Sequence, residues 1–120
     1  MTFEELFERA TGHEPFPFQR RFAMAAELPD LLRAPTGAGK TATAVLGWLW
    51  RRRFAEERVR VATPRRLVFC LPMRSLVTQT SVAARAWLDR LDLHEQVPVY
   101  SLLGGAIDDT FDRRPEADAI

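Results

Sequence analysis

The stretch from Ala34 to Thr41, APTGAGKT, constrains the fold more than any other part of the chain. The apolar run 31–34 precedes it, and the segment 41–53 after it is apolar on almost every side, which predicts the order strand, glycine turn, buried helix. A loop can hold a triphosphate only if several backbone N–H groups face it without side chains between. Gly37 and Gly39 meet that need, so the stretch predicts a phosphate loop.

Lys40 is the only lysine in a chain that has arginine at its sixteen other basic positions. An ammonium on a slim stem fits a closed loop better than the wide planar fork of arginine. We therefore expect Lys40 to reach the β- and γ-phosphates, and Thr41 to offer a hydroxyl to a Mg2+ ion. The alternative is a glycine-rich turn that binds no ligand. The first position of the usual motif is glycine, and here it is Ala34.

The remaining periodicity predicts alternating helices and strands. Helices are expected before the loop, at 3–10 and from 18 to before Pro29, and after it at 75–91. The further predicted strands are 67–71, 97–103 and a start at 117–120. Such alternation predicts a doubly wound α/β fold with a parallel sheet. We expect two parts: the N-terminal helices at 1–29, and an incomplete α/β domain at 30–120.

The composition bears on the partners and the cellular location of the protein rather than on its fold. The net charge of +1 provides no overall field toward nucleic acid, so any such contact must be local. Cys70 has no partner for an internal disulfide and lies in the apolar run LVFCL, which favours a buried thiol. The chain has no apolar run of the roughly 20 residues that span a bilayer. A cytoplasmic location fits best.

APTGAGKT, LPMRSLVTQT and LLGG together resemble the first motor lobe of superfamily 2 helicases, most closely the CRISPR-associated helicase of type I systems, particularly type I-G. The resemblance implies a three-layer RecA-like P-loop NTPase fold and an ATP-dependent DNA helicase or translocase acting in CRISPR interference. It implies ATP and Mg2+ as cofactors. Single-stranded DNA and the RNA-guided surveillance complex are the implied partners.

The resemblance also assigns an ATP site. Its catalytic residues are Lys40 and Thr41, with Thr41 as the Mg2+ ligand. Gln19, in PFPFQRR, matches the glutamine that reads the adenine edge, and Phe16 or Phe18 could cover the base. The alternative is an exposed helix glutamine beside core phenylalanines. The full ATP-binding set is Gln19, Pro35, Thr36, Gly37, Ala38, Gly39, Lys40 and Thr41.

A second group of residues resembles the motif that grips the sugar-phosphate backbone of DNA. Arg74 and Ser75 would supply contacts, with Gln79 on the same helix. The alternative is a helix capped by Ser75 with Arg74 solvated. Gly104 and Gly105 either let the backbone approach a phosphate or form a turn.

Other features receive structural interpretations. Arg51, Arg52 and Arg53 are expected to be a solvated helix end, because cations are favoured there. The dipeptide 108–109, Asp-Asp, is expected to be a polar loop, and the tryptophans are expected in the core.

Two other function classes stay open: a non-catalytic nucleotide-binding or scaffold module, and a fragment of a P-loop kinase. The chain lacks the acidic Mg2+ and water-activating motif, the second motor lobe and the arginine finger of the helicases that it resembles. We therefore expect this polypeptide alone to bind Mg-ATP weakly and not to hydrolyse it.

Overall fold

The computed structural model describes residues 1–35, 37–103, 106–107 and 114–120, with side chains for all of these except 106–107. They divide into two compact units, Met1–Pro64 and Arg65–Ile120. The described residues form five helices, namely α1 (Phe3–Thr11), α2 (Pro17–Met24), α3 (Lys40–Arg53), α4 (Glu57–Ala62) and α5 (Arg74–Arg90). The strands β1 (Leu102–Leu103) and β2 (Ala106–Ile107) form an antiparallel pair, in which Leu102 lies opposite Ile107.

The prediction of a three-layer RecA-like α/β fold with a parallel sheet is therefore wrong. The described residues are mostly helical, and their strands are a single two-residue antiparallel pair. Residues 31–34 and 67–71 are not strands, and Leu31 and Val68 are 69% and 75% exposed. A strand is stable only when its backbone N–H and C=O groups pair with a neighbouring chain segment. Runs of apolar residues do not specify that neighbour.

The opening helix α1 confirms its sequence prediction. The Thr2 hydroxyl accepts the Glu5 N–H at 3.2 Å, and the Glu5 carboxylate accepts the Thr2 N–H at 3.0 Å, which is a capping box. The helix ends at Gly12, whose φ of +79° is the left-handed conformation typical of a C-terminal glycine. Its buried face consists of Phe3, Leu6, Phe7 and Ala10.

Helix α3 forms the core of the first unit, and α1 and α2 both pack against it. Its buried residues lie on nearly all sides, among them Val45, Leu46 and Leu49, as its composition predicts. Trp48 is also buried, and its indole N–H donates to the Pro64 carbonyl at 2.7 Å. No helix in the described part of the chain combines the length and apolarity needed to cross a membrane.

The second unit is built on α5, with Ala84 and Leu88 buried and Val97 and Ala119 also in its core. The Ala119 backbone pairs with the segment 65–67: its N–H donates to the Arg65 carbonyl at 3.0 Å, and the Leu67 N–H donates to its carbonyl at 3.0 Å. These bonds give one isolated parallel bridge between Arg66 and Ala119. The expectation that Cys70 is buried is wrong, because its side chain is exposed.

Candidate functional site

The predicted phosphate loop has two residues in the left-handed conformation. Gly37 has φ +81° and Gly39 has φ +83°, which residues with a Cβ adopt only at a cost of about 1–2 kcal/mol. Between them, the Ala38 N–H donates to the Pro35 carbonyl at 3.1 Å and closes a turn. Thr36, predicted to bind ATP, lies outside the described residues. The backbone of 37–39 therefore has the conformation for which glycine is needed at both positions.

Helix α3 begins at Lys40, immediately after this loop, with Gly39 as its N-cap. Among the described residues, the backbone N–H groups of Gly39, Lys40, Thr41 and Ala42 have no hydrogen-bond acceptor. These N–H groups carry the positive end of the helix dipole, which favours an anion at this position. Lys40 is exposed and Thr41 is partly buried. The loop thus offers backbone donors, an ammonium and a hydroxyl at consecutive positions.

Among the described residues of the loop, the Gly39 carbonyl accepts the most hydrogen bonds. It accepts the Thr43 N–H at 2.9 Å, the Thr43 hydroxyl at 2.8 Å and the Gln19 Nε2–H at 3.2 Å. In a trans peptide the C=O and the following N–H lie in one plane and are directed oppositely. Holding the Gly39 carbonyl therefore also fixes the direction of the Lys40 N–H, which is turned away from the helix.

Gln19 is buried, at 2% exposure, and does not have the exposed position of the alternative interpretation. Its Oε1 accepts the Phe16 N–H at 2.8 Å, while its Nε2 donates to Gly39. The Phe16 and Phe18 rings stack nearly parallel, with centroids 6.3 Å apart and an interplanar angle of 16°, and Phe16 is 57% exposed. An adenine contact by Gln19 stays a prediction. The contact with the phosphate loop was not foreseen from the sequence.

The predicted DNA-binding residues lie in the second unit. Arg74, Ser75 and Gln79 are all exposed on α5, with Arg74 as its first residue. The N-cap is Met73, without a side-chain hydrogen bond, so the alternative in which Ser75 caps the helix is wrong. Gly104 and Gly105 lie outside the described residues, as do the aspartates at 108–109. DNA binding by these residues stays a prediction.

Arg51 departs from the expected solvated helix end. Its side chain is buried, at 3% exposure, and its Nη1 donates to the Ala23 and Ala25 carbonyls at 2.9 and 2.5 Å. Its Nη2 donates to the Ala26 carbonyl at 3.4 Å, while the buried Nε has no partner among the described residues. Burial lowers the pKa of this guanidinium below its ordinary value. The one sequence signal for this role was the position of Arg51 three residues after the buried Trp48.

The described residues contain no cluster of three or more His, Cys, Asp or Glu side chains that could hold a metal ion. Within them, Thr41 is the ligand that the motif assigns to Mg2+, with the phosphate oxygens supplying the rest. Comparison of the chain with protein-family models, with curated proteins and with solved structures found no match.

Proposed function

We propose that residues 37–42 bind the phosphates of Mg-ATP. The observation that carries this proposal is the left-handed pair Gly37 and Gly39 directly before a helix whose first N–H groups have no acceptor among the described residues. Lys40 supplies a positive charge at the first helical position, and Thr41 supplies the hydroxyl that the motif assigns to Mg2+. When bound, Mg2+ neutralises part of the phosphate charge and orients its oxygens.

We further propose that the chain is part of an ATP-dependent DNA helicase or translocase that acts in CRISPR interference in the cytoplasm. APTGAGKT supports it together with the exposed Arg74, Ser75 and Gln79 on α5. Single-stranded DNA is the proposed second ligand, and an RNA-guided surveillance complex is the proposed partner. This role rests on the sequence motifs alone.

A second candidate is a nucleotide-binding module without catalysis. ATP hydrolysis needs a carboxylate that positions water and Mg2+, and the motifs APTGAGKT, LPMRSLVTQT and LLGG that support the first candidate contain no acidic residue. Turnover of ATP by the polypeptide, absent in a Lys40→Ala variant, would contradict the non-catalytic candidate. Binding without turnover would favour it.

The binding step is tested by titrating the protein with Mg-ATP and with Mg-tripolyphosphate by calorimetry. Lys40→Ala should weaken both ligands by roughly ten- to a hundredfold, because a hydrogen bond to a charged group contributes about 1.5–3 kcal/mol. Lys40→Arg keeps the charge but changes its shape, and we expect it to restore little of the affinity. Unchanged affinity in Lys40→Ala would refute the proposed site.

A further inference from the structure

We infer that Gln19 is a positioning residue for the phosphate loop. By holding the loop in place, Gln19 raises the affinity for any polyphosphate, whether or not a base is attached to it. The inference rests on the proposed phosphate binding at 37–42. It gives Gln19 a role that differs from adenine recognition, and the two roles predict different selectivities.

The orientation of the Gln19 amide follows from its two backbone partners. The Phe16 N–H is a donor and lies 2.8 Å from Oε1, while the Gly39 carbonyl is an acceptor and lies 3.2 Å from Nε2. A flipped amide would set Nε2 against a donor and Oε1 against an acceptor, and it would lose both bonds. Since Gln19 is 2% exposed, water cannot readily replace them. The amide therefore joins the start of α2 to the loop in one defined arrangement.

The contact with Gln19 leaves no room for a side chain at Gly39. A Cβ at position 39 would lie 2.8 Å from Gln19 Nε2, closer than such atoms approach in proteins. At Gly37, which has nearly the same φ, a Cβ would meet nothing within 4 Å among the described atoms. The left-handed backbone thus explains glycine at both positions, but the close approach of Gln19 adds a second requirement at Gly39 alone.

The Gln19 bond acts on the proposed phosphate site through the peptide group that joins Gly39 to Lys40. Gln19 and Thr43 hold the Gly39 carbonyl from two different helices, and the Lys40 N–H in the same plane is directed oppositely. Loss of the Gln19 bond leaves that carbonyl held by Thr43 alone, so the orientation of the peptide plane is less tightly restrained. A preorganised donor binds an anion more tightly than one that must be ordered during binding. Every ligand with the same phosphates should be affected equally.

The test uses Gln19→Met, which is neutral and of similar length but can make neither bond. We would measure dissociation constants for Mg-tripolyphosphate, Mg-ATP and Mg-GTP by calorimetry. We expect all three to weaken by about three- to tenfold, with their ratios unchanged, because the net contribution of one such hydrogen bond is about 0.5–1.5 kcal/mol. Loss confined to Mg-ATP would overturn the inference in favour of adenine reading.

Arg51→Gln is the matched control, because Arg51 joins α3 to the other end of α2 through the Ala23 and Ala25 carbonyls. It should lower stability without changing tripolyphosphate affinity. An equal loss of affinity in Arg51→Gln would mean that Gln19 acts only by holding the helices together, and it would overturn the positioning role.

If Gln19→Met does not fold, the wild-type protein gives the same answer. The side-chain amide signals of Gln19 should shift in nitrogen-15 spectra when Mg-tripolyphosphate is added without any base. A shift with Mg-ATP alone would overturn the inference. Failure of the wild-type protein to bind tripolyphosphate at all would instead refute the proposed phosphate site, so the two failures are distinguishable.

Discussion

The Phe22 ring of α2 lies directly over Gly47 of α3. A Cβ at position 47 would lie 2.6 Å from Phe22 Cδ1 and 2.7 Å from Cε1, so no side chain fits there unless the ring moves. Gly47 is buried in the middle of α3, where glycine costs about 1 kcal/mol relative to alanine. The contact lets the two helices approach closely at the centre of the first unit.

Gly47→Ala should therefore lower the free energy of unfolding by about 1 kcal/mol. Overpacking costs about 1–3 kcal/mol, which exceeds the helix propensity that alanine adds. In a Phe22→Ala background the clash is gone, and the same substitution should instead stabilise by about 1 kcal/mol. Urea unfolding of the four proteins measures both effects. Equal effects of Gly47→Ala in the two backgrounds would contradict the contact.

The helices could be predicted from the sequence because their signals are local. The capping box at Thr2 and Glu5, the terminal Gly12 and the apolar spacing of α3 and α5 each lie within one element. The exception is α4, for which the sequence predicted no helix and which has no buried residue. No periodic apolar face identifies such a helix.

The sheet and the buried polar contacts could not be predicted, because both depend on residues distant in sequence. The run 67–71 has a strand-like composition, yet its only backbone bond to another segment among the described residues is from the Leu67 N–H to the Ala119 carbonyl, next to the bridge at Arg66. The Gln19–Gly39 bond joins residues twenty positions apart, and the Arg51–Ala23 bond joins residues twenty-eight apart. Glutamine and arginine read as surface residues until such partners are known.

Arg51→Met should lower the free energy of unfolding by about 2 kcal/mol. The guanidinium supplies donors to the carbonyls at the end of α2, and hydrogen bonds from a charged group contribute about 1.5–3 kcal/mol, partly offset by its desolvation. Arg51→Lys should recover little, because a single ammonium cannot span three carbonyls. Thermal unfolding tests this, with the exposed Arg58→Met as the matched loss of charge. Equal stability of the Arg51 and Arg58 variants would contradict an anchoring role.

Gly39→Ala should destabilise the protein more than Gly37→Ala. Both substitutions place a residue with a Cβ in the left-handed conformation, which costs about 1 kcal/mol. A Cβ at position 39 would also lie only 2.8 Å from Gln19 Nε2, so the Gln19 side chain must move. Repeating Gly39→Ala in a Gln19→Ala background should reduce its cost to that of Gly37→Ala. Chemical denaturation gives the comparison. A cost at Gly39 that does not depend on residue 19 would show that the close approach is unimportant.

Arg74→Ala should weaken the binding of single-stranded DNA by the contribution of one phosphate contact. Arg74 is exposed at the first position of α5, where the helix N-terminus also favours phosphate. One lost contact lowers the slope of log affinity against log salt by about 0.7 for a single strand. Arg74→Lys keeps the charge and should keep the slope, whereas Arg58→Ala removes an exposed arginine of the first unit and should leave it unchanged. Fluorescence anisotropy of a labelled oligonucleotide across a salt series measures the slope. An Arg74→Ala slope equal to that of the wild-type protein would exclude Arg74 from the DNA interface, because a charge that releases no counterion makes no phosphate contact.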